Sequence, residues 1–406
     1  MRLLRPCLVL SALLLTMVSR CAAAATEPVP AFDRVPGVVI AHSPKSTRVY
    51  LGSAGIAKLS DGSYLAKHDE FGPGSTEKTN AVTKVYRSTN RGETWELISR
   101  VEGQFWANLF EHQGAVYMMG TTASHRSGHA TIRRSLDGGR TWTEPKGPDS
   151  GLLFPDISYH TAPMPIVIHN GRIWRAMEDE KGGESWGRMF RAFMLSAPVD
   201  ADLLKASSWT ASNALGHDPS YLGGRFGGWL EGNAVVAPDG QIVNILRTDF
   251  RDVPEKASLV RISADGQTAT FDPERDFIDF PGGCKKFVIR RDPTDGRYWT
   301  LANAILPQHA GGNVERIRNA AVLMSSTDLR TWTPHYTALH HPDLTAHGFQ
   351  YLDWLFEGDD LIVVSRTAYE DGVGGAYNQH NSNFLTFHRI KDYRQHIAST
   401  VAVAGR

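Results

Sequence analysis

Long apolar runs are scarce in this chain. Residues 8–18 form one, but a helix needs about 20 such residues to span a bilayer, and no later stretch of that length is free of charge. Arg2 and Arg5 precede the run and four alanines, residues 22–25, follow it. This is the layout of a Sec-type signal peptide. Residues 1–25 are therefore expected to be removed, leaving residues 26–406 as one secreted or periplasmic domain. Arg20 directly before Cys21 fits a lipoprotein cleavage site poorly. Cysteine is almost as scarce: of three, Cys7 and Cys21 fall in the leader, so Cys284 stands alone and no internal disulfide can form. An excess of charge of one sign is also missing, with 43 basic and 43 acidic residues. Loss of the leader shifts this only slightly, by three arginines. That balance gives no electrostatic case for binding nucleic acid or a membrane surface. No Pro/Ser-rich linker or low-complexity tract marks a place to divide the chain, and a monomer is expected.

What the chain has is turns. Its 38 glycines, 21 prolines and 10 tryptophans suit many short strands joined tightly. One turn passage repeats: Ser88-Thr-Asn90-Arg-Gly92-Glu-Thr94-Trp95, then Ser135-Leu-Asp137-Gly-Gly139-Arg-Thr141-Trp142, and a shorter Ser326-Thr-Asp328-Leu-Arg-Thr331-Trp332. A degraded copy stands at Ser263-Ala-Asp265-Gly266. Asp or Asn can cap turn amides, Gly accepts positive φ, and Trp buries its ring between strand layers. Each copy follows an apolar stretch, which places it in a hairpin. Further strand-like stretches, with Asn170-Gly171 and Asp239-Gly240 as hairpin signals, continue from about Val38 to His388. An all-β fold of six or seven four-stranded blades is expected, with seven favoured.

The repeated turn resembles the Asp box of sialidases and related β-propellers. Other passages narrow the resemblance: Tyr64-Leu-Ala-Lys-His68-Asp69-Glu-Phe-Gly72-Pro73, Tyr159-His160-Thr-Ala-Pro163, Gly171-Arg-Ile-Trp-Arg175, Trp229-Leu-Glu231-Gly-Asn233, Phe280-Pro-Gly-Gly283, His347-Gly-Phe-Gln-Tyr351-Leu-Asp-Trp354 and Asn383-Phe-Leu-Thr-Phe-His388. In this order they resemble the propeller polysaccharide lyases acting on ulvan and the related enzymes acting where rhamnose is α-1,4-linked to glucuronic acid. The resemblance implies β-elimination at a uronic acid within a poly- or oligosaccharide.

Elimination there needs the carboxylate neutralised, a base for the C5 proton and an acid for the leaving oxygen. The resemblance assigns Tyr159 to proton transfer and Arg175 to the carboxylate. It assigns His129 as the second member of a histidine pair, with His125 as a competitor, but puts Asn108 where the first should stand. Asn can hydrogen-bond a carboxylate but cannot act as a base. His68 matches a functional histidine of the rhamnose-glucuronate enzymes. Arg225, Glu231, Asn233, Arg247, His347, Gln350, Arg366 and Asn383 are further candidates for sugar contacts.

Hydrolysis on the same fold is the alternative, by an α-L-rhamnosidase or an exo-sialidase; a sugar-binding propeller without catalysis is the third reading. In a hydrolase Glu231 would be half of a carboxylate pair with Asp69 or Asp353. A sialidase needs three arginines on the substrate carboxylate, a Tyr nucleophile with a partner Glu, and an Asp acid. Its first arginine lies in a Phe/Tyr-Arg-Ile-Pro passage near the start, where this chain has Asp33-Arg34-Val35-Pro36. No cofactor is required by any of these readings. The 16 histidines are scattered and no cysteine cluster accompanies them, so a structural Ca²⁺ or Zn²⁺ rests on the resemblance alone.

Overall fold

The computed structural model describes residues 29–405, so the expected leader and its cleavage site lie outside the described residues. Among the described residues no helix is long and apolar enough to cross a membrane. Six antiparallel sheets follow one another along the chain. Their inner strands run Tyr50–Lys58, Phe105–His112, Tyr159–His160 with Val167–His169, Trp229–Val236, Val288–Arg291 and Gly348–Glu357, in blades 1 to 6. Blade 6 takes its outermost strand, Val38–His42, from the start of the described chain, pairing it with Phe384–Ile390 near the end.

The count is six, not the favoured seven, for two reasons of strand pairing. Val38–His42 closes blade 6 instead of opening a blade of its own. Val167–His169 and Phe277–Asp279 add fifth strands to blades 3 and 4. Density of strand-like stretches therefore overcounts blades.

Packing follows from period-2 alternation in strands buried on both faces. Along Ala320–Ser326, Val322 and Met324 join a core shared with blade 4, while Ala321 and Leu323 join one shared with blade 6. Each of the six interfaces between neighbouring blades holds such a core. A one-residue slip would exchange both faces at once, so register is strongly specified.

The repeated turn passages join the third and fourth strands of blades 1, 2 and 5, and residues 263–266 do so in blade 4. In blade 2, Asp137 Oδ1 accepts from Ser135 Oγ at 2.7 Å and from the Arg140 and Thr141 amides at 3.0 and 2.9 Å. Gly139, at φ +94°, supplies the left-handed corner. These turns all lie on one face of the ring, here the lower face. The opposite, upper face carries the starts of the inner strands and the longer loops between second and third strands.

Candidate active site

The inner strands of blades 1, 2, 4 and 6 share a defect near the upper face. Pairing with the second strand slips between Gly52 and Gly55, Phe105 and Asn108, Leu230 and Gly232, and Gln350 and Asp353. At each slip one non-glycine residue takes left-handed backbone: Ser53 (φ 51°), Trp106 (φ 51°), Glu231 (φ 46°) and Tyr351 (φ 52°). A bulge of this kind re-aims a side chain. Such backbone costs about 1 to 3 kcal/mol per residue and persists where surrounding structure imposes it, often at functional sites.

Two of the re-aimed side chains meet. Tyr351 Oη donates to Glu231 Oε1 at 2.9 Å, linking blade 6 to blade 4. Glu231 Oε2 accepts from Arg247 Nη1 at 3.0 Å. Arg247 Nε is fixed on the Cys284 carbonyl at 2.9 Å. Glu231 is 2% exposed, whereas Tyr351 is half-buried and so reachable from the mouth. Burial by itself would raise the Glu231 carboxyl, but Arg247 and His160 outweigh it and hold it below the usual carboxylate range. Burial, then Glu231, push the Tyr351 phenol up against the pull of Arg247, Arg318 and Arg366. The proton therefore rests on the phenol, with a charged base beside it.

Two more arginines stand over the Tyr351 ring, Arg366 at 4.9 Å and Arg318 at 5.9 Å from its centre. Gln350 Oε1 steadies Arg318 at 2.8 Å. Arg366 lies on the Phe71 ring at 4.4 Å and donates through Nη2 to the His380 carbonyl. Its Nε is buried without a hydrogen-bond partner among the described residues. Burial brings Arg366 down to about 9 and lowers Arg318 as well. A buried, under-partnered guanidinium is an unfilled demand for an anion.

Beside this cluster lies an aromatic wall. His160 stacks on Phe190 at 4.2 Å and meets Trp106 and Trp186 edge-on at 4.6 and 5.5 Å. His160 Nδ1 contacts Glu178 Oε2 at 3.0 Å, and Glu178 Oε1 accepts the Gly232 amide at 3.1 Å. That chain braces the bulge that holds Glu231. Trp186 is 43% exposed and offers a flat apolar face. Glu77, on the loop between the second and third strands of blade 1, is near enough to Arg366 to feel its charge. Burial nonetheless raises the Glu77 carboxyl above its usual range.

Of the residues singled out in the sequence, Glu231, Arg247, Gln350 and Arg366 come together here. The group assigned to elimination does not. Arg175 is fully buried and donates to Asn108 Oδ1 at 3.1 Å, Thr161 Oγ1 at 2.9 Å, the Ala162 carbonyl at 2.8 Å and the Ala176 carbonyl. Tyr159 packs between blades 2 and 3, and its hydroxyl donates to Asp156 at 3.1 Å. His129 Nδ1 contacts the Ile157 carbonyl at 2.8 Å. His68 lies inside blade 1 between Tyr86 Oη and the Asp69 carbonyl, and burial lowers it to about 3. No side-chain hydrogen bond joins any two of these four.

Other candidates have structural partners. Asn233 bridges blades 4 and 5 through the Phe287 carbonyl and the Ile289 amide, at 3.2 and 2.9 Å. Arg225 is on the surface, paired with Asp252. His347 belongs to a separate histidine cluster, and Asn383 is held by Tyr369 and Asp371. Of the carboxylates weighed as partners of Glu231, Asp69 is bound to Lys67 and Asp353 to Arg290. Sequence reasoning missed Tyr351, Arg318, Glu77 and Trp186. Tyr351 stood in a quoted passage, but nothing local distinguished it from a strand tyrosine.

A cavity of about 680 Å³ opens on the lower face, lined by Val167, Ile168, Ala234, Ile289, Arg290 and Leu355 among others. Its lining includes no carboxylate or tyrosine.

No protein-family model matches the chain, and no curated protein matches it in sequence. Solved structures do match in shape. An α-L-arabinanase of Penicillium chrysogenum complexed with arabinobiose has 16% identity and a TM-score of 0.55, over 88% of this chain and 98% of that one. A Hadza microbial sialidase has 14% identity and a TM-score of 0.58, over 88% of this chain and 69% of that one. The Trypanosoma rangeli sialidase in complex with sialic acid has 14% identity and a TM-score of 0.52, over 90% of this chain and 57% of that one. The fold is that of a sialidase-like propeller.

Proposed function

We propose that the protein is a glycoside hydrolase acting outside the cytoplasm on a sugar that bears a carboxylate, a sialic or uronic acid. The observation that carries this reading is the Tyr351–Glu231 hydrogen bond under Arg366 and Arg318. Glu231 takes the phenol proton as Tyr351 oxygen attacks the anomeric carbon, and Glu77 gives a proton to the departing glycosidic oxygen. Water, deprotonated by Glu77, then releases the sugar from tyrosine, whose oxygen takes its proton back from Glu231. An uncharged phenol suits an anionic substrate, because a carboxylate nucleophile would repel it. Arg366 and Arg318 take the substrate carboxylate, and Trp186 receives a sugar face.

This replaces elimination as the leading reading, since Arg175 has its donors on protein acceptors and Tyr159 is turned to Asp156. The sialidases and arabinanase of the same fold support hydrolysis. The test is a panel of sialosides, rhamnosyl-glucuronate oligosaccharides and neutral arabinosides. Hydrolysis gives a new reducing end without near-ultraviolet absorbance; an unsaturated uronic acid absorbing there would restore the lyase reading.

A further inference from the structure

A second cluster of functional groups lies away from Tyr351, where the loop of residues 341–347 enters blade 6. Ligand atoms of His341, His347 and Glu370 all lie within 4.8 Å of one another. The two imidazoles are nearly parallel, with centres 3.5 Å apart and planes 18° apart. We propose that His341, His347 and Glu370 bind a divalent transition-metal ion, Zn²⁺ by the chemistry of the set.

His347 carries the argument. Its Nδ1–H donates to Asp343 Oδ2 at 2.7 Å, which leaves the Nε2 lone pair free in the neutral ring. Carboxylate-held imidazole is the arrangement that orients metal-binding histidines. Nε2 lies 2.7 Å from Glu370 Oε2 yet off the line of a ring N–H, so it is a buried nitrogen without a hydrogen bond. A lone pair facing a carboxylate oxygen at that distance is repulsive unless the ring is doubly protonated or a cation sits beside them. His341 Nδ1 also carries a lone pair, since it accepts the Asp343 amide at 3.1 Å, a long contact that a cation can displace. The Tyr369 ring closes the other side, edge-on to both imidazoles at 5.5 and 4.9 Å.

Two imidazoles and one carboxylate suit Zn²⁺, with water in the fourth position beside exposed Glu370. Ca²⁺, which takes 6–8 oxygens, does not fit. The ion would join the loop before Gly348–Glu357 to Glu370, two residues past Asp360–Ala368, just above the Gly348–Ala368 pair. It would thus clip together the two strands that carry Tyr351 and Arg366.

The test uses the full chain, stripped with chelator and dialysed against micromolar zinc chloride, with metal measured by elemental analysis and unfolding followed by calorimetry. One equivalent of retained zinc and a rise in Tm of a few degrees are expected. Cobalt substitution should give visible bands of a four- or five-coordinate nitrogen-oxygen site. Asp343→Asn should weaken zinc binding by about 10- to 100-fold, and Glu370→Gln and His341→Ala should each abolish stoichiometric retention. If the parent retains no zinc and gains no stability, the contact is a plain ion pair and the proposal fails. It fails equally if folded Glu370→Gln and His341→Ala chains retain zinc as the parent does.

Discussion

The middle of the central channel and its upper mouth are built from the same residue types, yet they differ in what those residues have left to offer. In the middle, Lys67 pairs with Asp69 at 2.9 Å, Lys286 donates to the Leu352 carbonyl at 2.7 Å, and Arg175 serves four protein acceptors. Asp353 accepts from Arg290, from its neighbour Trp354 and from the Ile56 amide of the adjacent blade 1. The Lys286–Leu352, Arg175–Asn108, Arg290–Asp353 and Ile56–Asp353 contacts each tie one blade to its neighbour. At the mouth, Tyr351 is only partly buried, Arg366 Nε has no hydrogen-bond partner among the described residues, and Glu231 is aimed by left-handed backbone. Buried charge alone does not mark a site. Charge left partly unmet, on backbone bent to present it, does.

Substitutions can break or sharpen this contrast. The largest effect is expected from Tyr351→Phe, which should reduce turnover by roughly 10³- to 10⁶-fold while Tm stays near the parental value. Glu77→Gln comes next, with a loss of about 10²- to 10⁴-fold on substrates with poor leaving groups. It should also change the pH profile. Glu231 must be ionised, and its carboxyl is held low, so the acid limb lies below the usual carboxylate range. Glu77 must be protonated, and its carboxyl is held high, so parental activity falls on the alkaline side as that proton leaves. Glu77→Gln should abolish the alkaline limb and leave the acid limb.

Arg366→Gln should cost about 10²- to 10³-fold on an acidic sugar and far less on a neutral glycoside, checked by kcat/KM on the two. In the middle of the channel the outcome should reverse. Arg175→Ala leaves buried acceptors without a donor and should destabilise by about 3 to 5 kcal/mol, measured by denaturant unfolding. The fraction still folded should turn over within a few-fold of the parent. A catalytic collapse in a stable Arg175→Ala protein would return the site to the elimination group of Tyr159, Arg175, His129 and His68.

The same contrast explains what could be read from sequence. Hairpin passages such as Ser135 to Trp142 are local, so the propeller was legible from turn chemistry and alternation. The blade number was not, because pairing of Val38–His42 with Phe384–Ile390 joins opposite ends of the chain. Glu231, Arg247, Gln350 and Arg366 were legible as polar residues in strand passages. Their convergence with Tyr351 and Arg318 was hidden, since these residues belong to blades 4, 5 and 6 and meet only when the ring closes. The bulges were hidden too: nothing in Leu230-Glu231-Gly232 or Gln350-Tyr351-Leu352 announces positive φ. Tyr159 and Arg175 were chosen through the resemblance to lyases, and the packing between blades 2 and 3 engages both.

The central claim, that Tyr351 forms and breaks a bond to sugar, is tested most directly by trapping. The parent protein would be treated with fluorinated acidic glycosyl fluorides, which slow release of a covalent intermediate, and its peptides mapped by mass spectrometry. A single glycosyl adduct on Tyr351, absent from Tyr351→Phe, is the predicted result. Turnover of an acidic glycoside with no adduct, and at the same rate in Tyr351→Phe, would contradict it.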